Sequence, residues 1–279
     1  EKIKIKTEEG NLLIKSTKTT TILKGYLVDD FPIIPKADGD KNIINNNVLI
    51  NGIKSVIYAG STLNIKPEIS SVYIYYNNGD YIFVSTDSFR LAEKRYSEKK
   101  DNEINSLIIP LKNSLEIIKV FESTNLPITI QNNQNQLFLS SGELYLTSQL
   151  INGVYPDYQQ IMPKQFKTKI TINKEDLISN LRTANIFSDK FNQINILFNK
   201  SGLIINSKNQ NSGENSSQID AQIDGDEGEI TLNAKYLLDG LQSINTPVVF
   251  IGFNEYNKPL LMKGVGDESF NYLVMPVTR

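Results

Sequence analysis

Residues 128–150 read ITIQNNQNQLFLSSGELYLTSQL, three apolar stretches separated by two polar turns. Residues 248–275 repeat this arrangement as VVFIGFNEYNKPLLMKGVGDESFNYLVM, and residues 3–26 carry it as IKIKTEEGNLLIKSTKTTTILKGY. Short apolar stretches between polar turns are typical of antiparallel strands joined by hairpins. The copies lie roughly 120 residues apart, which suits a repeated domain and is too long for a solenoid unit.

The segments that precede the second and third copies also match each other. Helices are predicted at 50–58 and 111–122 in one repeat, and at 177–186 and 233–244 in the other. Each repeat also has a predicted hairpin and a short apolar strand before its second helix; these strands are 72–76, 81–85 and 107–110, and 195–198, 203–206 and 229–232. The sequence therefore predicts an α+β protein with two complete repeats.

The beginning of the chain matches only part of a repeat. Residues 1 to about 30 correspond to the last third of a copy. Because an isolated hairpin is only marginally stable in water, we expect the chain to begin inside a domain. The predicted division is a remnant of a first domain at 1–32, a second domain at 33–163 and a third domain at 164–279.

Three residue types are absent, since the chain contains no Cys, no His and no Trp. This excludes Cys nucleophiles, Ser-His-Asp triads, imidazole metal sites and disulfides, and it disfavours an enzyme. The formal net charge of −2 argues against a uniformly basic nucleic-acid binder but permits a local basic face.

No apolar run reaches the roughly 18 residues of a membrane-spanning helix, and the start EKIKIK lacks the apolar region of a signal peptide. We expect a cytoplasmic protein that does not bind membranes.

The predicted helices have an apolar side and a charged side. In helix 111–122 the apolar residues are Leu115, Ile118 and Phe121, and the polar ones are Lys112, Glu116 and Lys119. In helix 233–244 the apolar residues are Leu237, Leu238, Leu241 and Ile244, and the polar ones are Lys235, Asp239 and Gln242. Lys54 and Arg182 hold comparable polar positions on the other helices. These stripes are either ordinary solvent-exposed faces or a surface where cations meet phosphates without reading sequence.

Two alternatives belong to other functional classes. The carboxylates of Asp220, Asp224, Asp226 and Glu227 would suit a divalent cation, but they lack the spacing of an EF-hand and adjoin an Asn- and Ser-rich stretch typical of a solvated loop. A secreted or surface β-repeat binding protein would fit the Asn-rich loops. The absence of an export signal argues against that second alternative.

Four short motifs resemble one known family. They are DFP at 30–32, TDSFRLA at 86–92, NGVYPDY at 152–158 and YLVMPV at 272–277. In this order and spacing they resemble segments of the bacterial beta sliding clamp, the beta subunit of DNA polymerase III. The resemblance covers essentially the whole chain. It implies the DNA-clamp fold, in which each repeated domain has two helices on one face and antiparallel sheets on the outside, and it implies that most of the first domain is missing.

The resemblance also implies a function. Family members are non-catalytic processivity factors without cofactors, and they hold duplex DNA by encircling it, independently of sequence. The DNA-facing residues would be Lys54, Lys112, Lys119, Arg182 and Lys235. The full-length chain is expected to form a head-to-tail homodimer, and this chain to be largely monomeric.

A peptide-binding pocket between the second and third domains is also implied. In the family it receives short peptides of the replicative polymerase, the clamp loader and repair proteins, typically a Gln followed by Leu and an aromatic residue. Here it would comprise Ile69, Thr86, Ser88, Phe89, Arg90, Leu91, Pro156, Gln160, Ile161, Pro259, Leu273, Val274, Met275, Pro276 and Val277. Ser88-Phe89 replaces the common Gly-His, and Gln160 replaces an often basic residue. We expect Val274→Asp combined with Met275→Asp to abolish peptide binding and to leave the fold intact.

Overall fold

The computed structural model describes residues 2–26, 29, 37, 39–63, 66–98 and 106–277. The chain forms two compact units, Glu1–Ala37 and Asp38–Arg279. Within the described ranges, no helix is both long enough and apolar enough to cross a membrane. The DFP motif at 30–32 lies outside the described residues.

The first unit contains an antiparallel three-stranded sheet. Its strands, in spatial order, are β1 (Lys4–Glu8), β2 (Asn11–Lys15) and β3 (Thr20–Leu23). The predicted hairpin is confirmed, with Ile5 opposite Ile14 across β1 and β2. The third strand ends at Leu23, before the predicted limit at residue 26.

The second unit begins with one complete repeat. Its elements are β4 (Asn42–Ile44), α1 (Asn46–Val56), a 3₁₀ turn (Ile57–Ala59), β5 (Ser71–Asn77), β6 (Asp80–Thr86), β7 (Arg90–Ser97), β8 (Leu107–Pro110), α2 (Leu111–Phe121), β9 (Ile128–Asn132), β10 (Gln136–Ser141) and β11 (Leu144–Gln149). A second 3₁₀ turn, Tyr158–Ile161, lies in the segment that leads to the next repeat. Both helices predicted for this repeat are confirmed.

The other complete repeat follows the same order, with one additional strand, β16, before its second helix. Its elements are β12 (Thr168–Asn173), α3 (Lys174–Ile186), β13 (Gln193–Asn199), β14 (Gly202–Asn209), β15 (Gly213–Ile219), β16 (Ala221–Asp224), β17 (Gly228–Asn233), α4 (Ala234–Leu241), β18 (Val248–Phe253), β19 (Leu260–Gly264) and β20 (Phe270–Val274). Both predicted helices and the predicted hairpin are confirmed.

One sheet joins the two repeats. It has nine strands in the order β16-β12-β18-β19-β20-β7-β6-β5-β8, and the antiparallel pair β7–β20 forms the seam. The other two sheets of this unit have four strands each, in the orders β11-β10-β9-β4 and β15-β14-β13-β17. The seam was not predicted, because it pairs strands about 180 residues apart and no local pattern signals such a pairing.

Asparagine side chains start three of the helices in the described residues. Asn45, Asn173 and Asn233 each accept a hydrogen bond from a backbone N–H in the first turn of α1, α3 and α4. Asparagine is among the preferred residues at this position, because its oxygen satisfies a donor that the helix leaves free. The abundance of Asn in the sequence therefore has a structural role at these positions.

The helices pack against the sheets through a shared apolar core. In α2 the buried residues are Ser114, Ile117, Ile118 and Phe121. The placement of Leu115 on the apolar side is wrong, since its side chain is 46% exposed. The apolar stripe of α2 runs through Ile117 instead, one turn after Ser114. A smaller apolar cluster joins Tyr155 and Tyr158 to residues of the nine-stranded sheet, among them Ile82 and Leu273.

Candidate functional site: a cleft at the seam between the repeats

A cleft of about 520 Å3 lies beside the end of β20. Four of the predicted pocket residues line it, namely Gln160, Ile161, Pro259 and Met275. Seven further residues that the sequence did not predict also line it: Met162, Pro163, Lys167, Asn254, Glu255, Asn257 and Lys258. Apolar walls with a few polar groups at the rim are typical of a site that anchors a short ligand. Some of these residues could have been found from the sequence, because they adjoin predicted ones. Met162 and Pro163 follow Ile161, and Asn257 and Lys258 precede Pro259.

A tight turn between β6 and β7 carries the next group of predicted residues. The Thr86 hydroxyl donates to the Arg90 carbonyl oxygen at 2.6 Å, and the backbone N–H of Ser88 donates to that hydroxyl at 3.1 Å. The Asp87 carboxylate accepts from the backbone N–H groups of Phe89 and Arg90, both at 2.9 Å. Ser88 has a φ of 75°. This left-handed conformation favours glycine, so a serine at this position is strained.

The turn presents an exposed aromatic ring near the cleft. The Phe89 side chain is 62% exposed. Its carbonyl oxygen accepts a hydrogen bond at 2.8 Å from the backbone N–H of Met275, one of the cleft residues. The turn and the cleft wall are therefore held together by the backbone.

Arg90 is engaged within the protein. Its guanidinium donates to Asp87 at 3.0 Å, to Asp239 at 2.5 Å and to the Tyr58 carbonyl oxygen at 2.6 Å. It also lies 4.4 Å from the centre of the Tyr236 ring. Burial disfavours its charge, but the surrounding groups, Tyr272, Asp239 and Asp87, outweigh that effect and raise the pKa of Arg90. Asp239 therefore does not belong to an outer charged stripe; it ties α4 to the start of β7.

Several predicted pocket residues lie beneath the surface. Leu91 and Leu273 are buried opposite each other across the seam, and Val274 is 0% exposed. The expectation that Val274→Asp preserves the fold is wrong, because the carboxylate would enter the apolar core. Met275 is only half-buried and is the better site for such a change. The remaining predicted residues, Ile69, Pro156, Pro276 and Val277, do not line this cleft, so their role stays a prediction.

The five predicted DNA-facing cations all lie on exposed helix positions. The helices pack in the pairs α1–α2 and α3–α4, and the Ser243 hydroxyl after α4 donates to the Ser55 carbonyl oxygen of α1 at 3.1 Å. Two of the cations have acidic partners: Lys54 contacts Glu122 at 2.5 Å, and Lys119 contacts Glu116 at 2.8 Å. The helices of the two repeats therefore lie next to each other, and their exposed surfaces carry both positive and negative side chains.

The carboxylates considered as metal ligands are not gathered into a site. Asp224 lies 3.8 Å from the ammonium of Lys169 on the neighbouring strand. Across the ranges that the structure describes, no group of three or more acidic residues could hold a metal ion.

Two family models match the chain. One is described as the central domain of the DNA polymerase III beta subunit and matches residues 43–157. The other is described as the C-terminal domain of the same subunit and matches residues 159–278. Together they account for both complete repeats, so the alternative of a surface β-repeat protein has no support.

Curated relatives agree with these matches. The chain is 28% identical over 276 residues to the beta sliding clamp of Synechocystis sp., covering 91% of this chain and 70% of the relative. It is 27% identical over 282 residues to the beta sliding clamp of Staphylococcus epidermidis, covering 99% and 75%.

Solved structures show the same fold. The DNA polymerase III subunit beta of Pseudomonas aeruginosa matches with a TM-score of 0.93 at 24% identity, covering 99% of this chain and 76% of that one. The beta subunit of Thermotoga maritima matches with a TM-score of 0.92 at 22% identity and the same coverage. The predicted DNA-clamp fold is confirmed.

Proposed function

Because this chain belongs to the DNA polymerase III beta subunit family, the beta sliding clamps, we propose that it acts as a processivity factor in DNA replication. In the assembled clamp it surrounds duplex DNA and tethers the replicative polymerase, the clamp loader and repair proteins. It catalyses no reaction, needs no cofactor and works in the cytoplasm. The observation that carries the proposal is the match of both complete repeats to consecutive domains of that subunit.

The helix surface supports contact with DNA that does not depend on sequence. Lys54, Lys112, Lys119, Arg182 and Lys235 are exposed on the adjoining helices, where their cations would meet phosphates. Since Lys54 and Lys119 already have acidic partners, the attraction is modest and sensitive to salt. Weak attraction suits a ring that holds DNA by enclosing it, because strong contacts would resist sliding.

The cleft supports the peptide-binding part of the proposal. Ile161, Met162, Pro163, Pro259 and Met275 supply an apolar surface for a Leu or aromatic anchor. Gln160 and Asn254 offer hydrogen-bonding groups to the peptide backbone or to a Gln side chain. A methionine in the wall adapts to anchors of different shape, which helps when many partners share one site.

A free strand edge supports assembly into a homodimer. β15 holds the position in its repeat that β7 holds in the other. The outer edge of β7 is paired with β20, whereas that of β15 has no neighbour among the described strands. We propose that a first-domain strand of a second subunit fills the β15 edge.

The peptide-binding part is tested by fluorescence-polarisation titration with a labelled peptide of the Gln-x-x-Leu-Phe type. We expect saturable binding in the micromolar range by the wild type and its loss in Met275→Asp, because the carboxylate would enter the apolar wall of the cleft. Leu144→Asp is the matched control, since Leu144 is a part-exposed apolar residue of β11 that does not line the cleft.

Two results oppose the peptide-binding part. One is a folded wild type, verified by circular dichroism, that does not bind the peptide at all. The other is an equal loss of binding in Met275→Asp and Leu144→Asp, which would mean that the effect is not specific to the cleft.

A further inference from the structure

A carboxylate is buried at the seam between the repeats. Glu93 lies on β7 opposite Asn271 of β20, and its side chain is 1% exposed. It accepts hydrogen bonds from the Tyr158 hydroxyl at 2.5 Å, from Nε of Arg95 at 2.9 Å and from the Asn271 amide at 3.2 Å. A charge removed from water in this way needs several strong donors, and each donor is consequently held in place.

The three donors come from different parts of the fold. Arg95 belongs to the same strand as Glu93, Asn271 belongs to the other repeat, and Tyr158 begins the 3₁₀ turn between the repeats. Burial, and next the neighbouring Glu93 carboxylate, raise the pKa of Tyr158 above its ordinary value. The Tyr158 phenol therefore remains protonated and keeps donating over the whole physiological pH range.

The 3₁₀ turn that begins at Tyr158 is also a wall of the cleft. Gln160 and Ile161, in the same turn, line the cleft and are exposed. Beneath them, Tyr158 is anchored on its other side by the Tyr75 hydroxyl, with the two oxygens 2.8 Å apart. Gln159 also donates to that Tyr75 hydroxyl, at 3.2 Å. The position of the wall therefore depends on side-chain hydrogen bonds that converge on Tyr158 and Tyr75.

We propose that Glu93 is a positioning residue for the cleft, because it fixes the Tyr158 hydroxyl and thereby holds the wall formed by Gln160 and Ile161 ready for a peptide. The proposal rests on the peptide-binding function proposed above. Glu93 does not line the cleft, so it acts on the wall only through Tyr158. Its effect is preorganisation: a wall that is already ordered costs less to bind than one that must be ordered by the peptide.

The test compares Tyr158→Phe and Glu93→Gln with Tyr272→Phe. Tyr158→Phe keeps the ring and removes only the hydroxyl that Glu93 holds. Tyr272→Phe is the matched control, because Tyr272 is a fully buried tyrosine near the same seam that does not line the cleft, and its hydroxyl interacts with the Tyr236 carbonyl oxygen and with Arg90 but not with Glu93. Two quantities are measured for each protein: amide hydrogen exchange of residues 159–162, and the Kd of the labelled peptide.

We expect exchange at 159–162 to become roughly tenfold faster in Tyr158→Phe and in Glu93→Gln, as the loss of a hydrogen bond to a charged group implies. The peptide Kd should rise roughly three- to tenfold in both variants, because binding must then order the wall. Tyr272→Phe should change neither quantity, even where it lowers the melting temperature.

Exchange and affinity that match the wild type in both cleft variants would overturn the proposal. Faster exchange with an unchanged Kd would also overturn it, since the hydrogen bond would then order the turn without preparing the cleft. If the folded wild type does not bind the peptide, the peptide-binding function fails first. In that case the exchange measurement still reports whether Glu93 holds the turn.

Discussion

Replacing Arg90 with methionine tests whether the tie between β7 and α4 is as strong as its contacts imply. The guanidinium is 11% exposed and pairs with Asp87 and Asp239, which are 13% and 20% exposed. Methionine keeps most of the apolar stem but leaves both carboxylates without their cation. Removing one partner of a buried ion pair costs about 3–5 kcal/mol. Because the two carboxylates retain some contact with water, we expect the lower end, about 3 kcal/mol.

This loss is measured by urea unfolding followed by circular dichroism. With an m value of about 3 kcal/mol/M, the unfolding midpoint should fall by about 1 M. Asp239→Asn and the double variant complete a double-mutant cycle, for which we expect a coupling energy of about 1–3 kcal/mol. The control is Lys119→Met, which breaks the exposed Lys119–Glu116 pair and should cost less than about 1 kcal/mol.

The reasoning is refuted if Arg90→Met moves the midpoint no further than Lys119→Met does. A coupling energy near zero between Arg90 and Asp239 would show that the contact is present but contributes no stability. If Arg90→Met strongly weakens peptide binding without loss of stability, Arg90 contacts the peptide, as the family resemblance implies.

Two further changes have defined outcomes. Ser88→Gly should stabilise the protein by up to about 1 kcal/mol, because the strain of a left-handed serine exceeds the entropy that glycine adds to the unfolded chain; a lower melting temperature in a thermal scan would show that the serine is not strained. Lys112→Glu with Lys119→Glu, in an assembled ring on circular DNA, should shorten retention, most strongly at low salt, and leave peptide binding unchanged. Retention identical to that of the wild type at every salt concentration would remove these lysines from the DNA surface.

Local patterns predicted the secondary structure well. All four helices found in the described residues were expected from spacing of apolar residues, and so were the hairpins around the turns. Leu115 was misplaced because several apolar residues of α2 lie close together, so that more than one face satisfies the helical period. The exposed cations were also placed correctly on helix surfaces.

What the sequence could not predict depends on contacts between distant residues. By its spacing Asp239 belongs to a solvent-exposed stripe, yet its partner Arg90 lies 149 residues earlier in the chain. Val274 and Met275 are adjacent and similarly apolar, but only the first is fully buried, because Val274 ends β20 and packs in the main core, whereas Met275 lies beyond the strand. The role of Glu93 requires knowledge of the β7–β20 register, which no local pattern contains.

The nine-stranded sheet also has a mechanical consequence. Five residue pairs join β7 to β20, and the strands on either side continue without a break from β16 to β8. A bending force applied to one repeat is therefore shared by many bonds acting in parallel, and the two repeats respond as one stiff shell. A ring that must open to admit DNA will yield where its compliance is greatest. For the ring proposed above, we therefore expect opening at a boundary between subunits and not at the seam between the repeats.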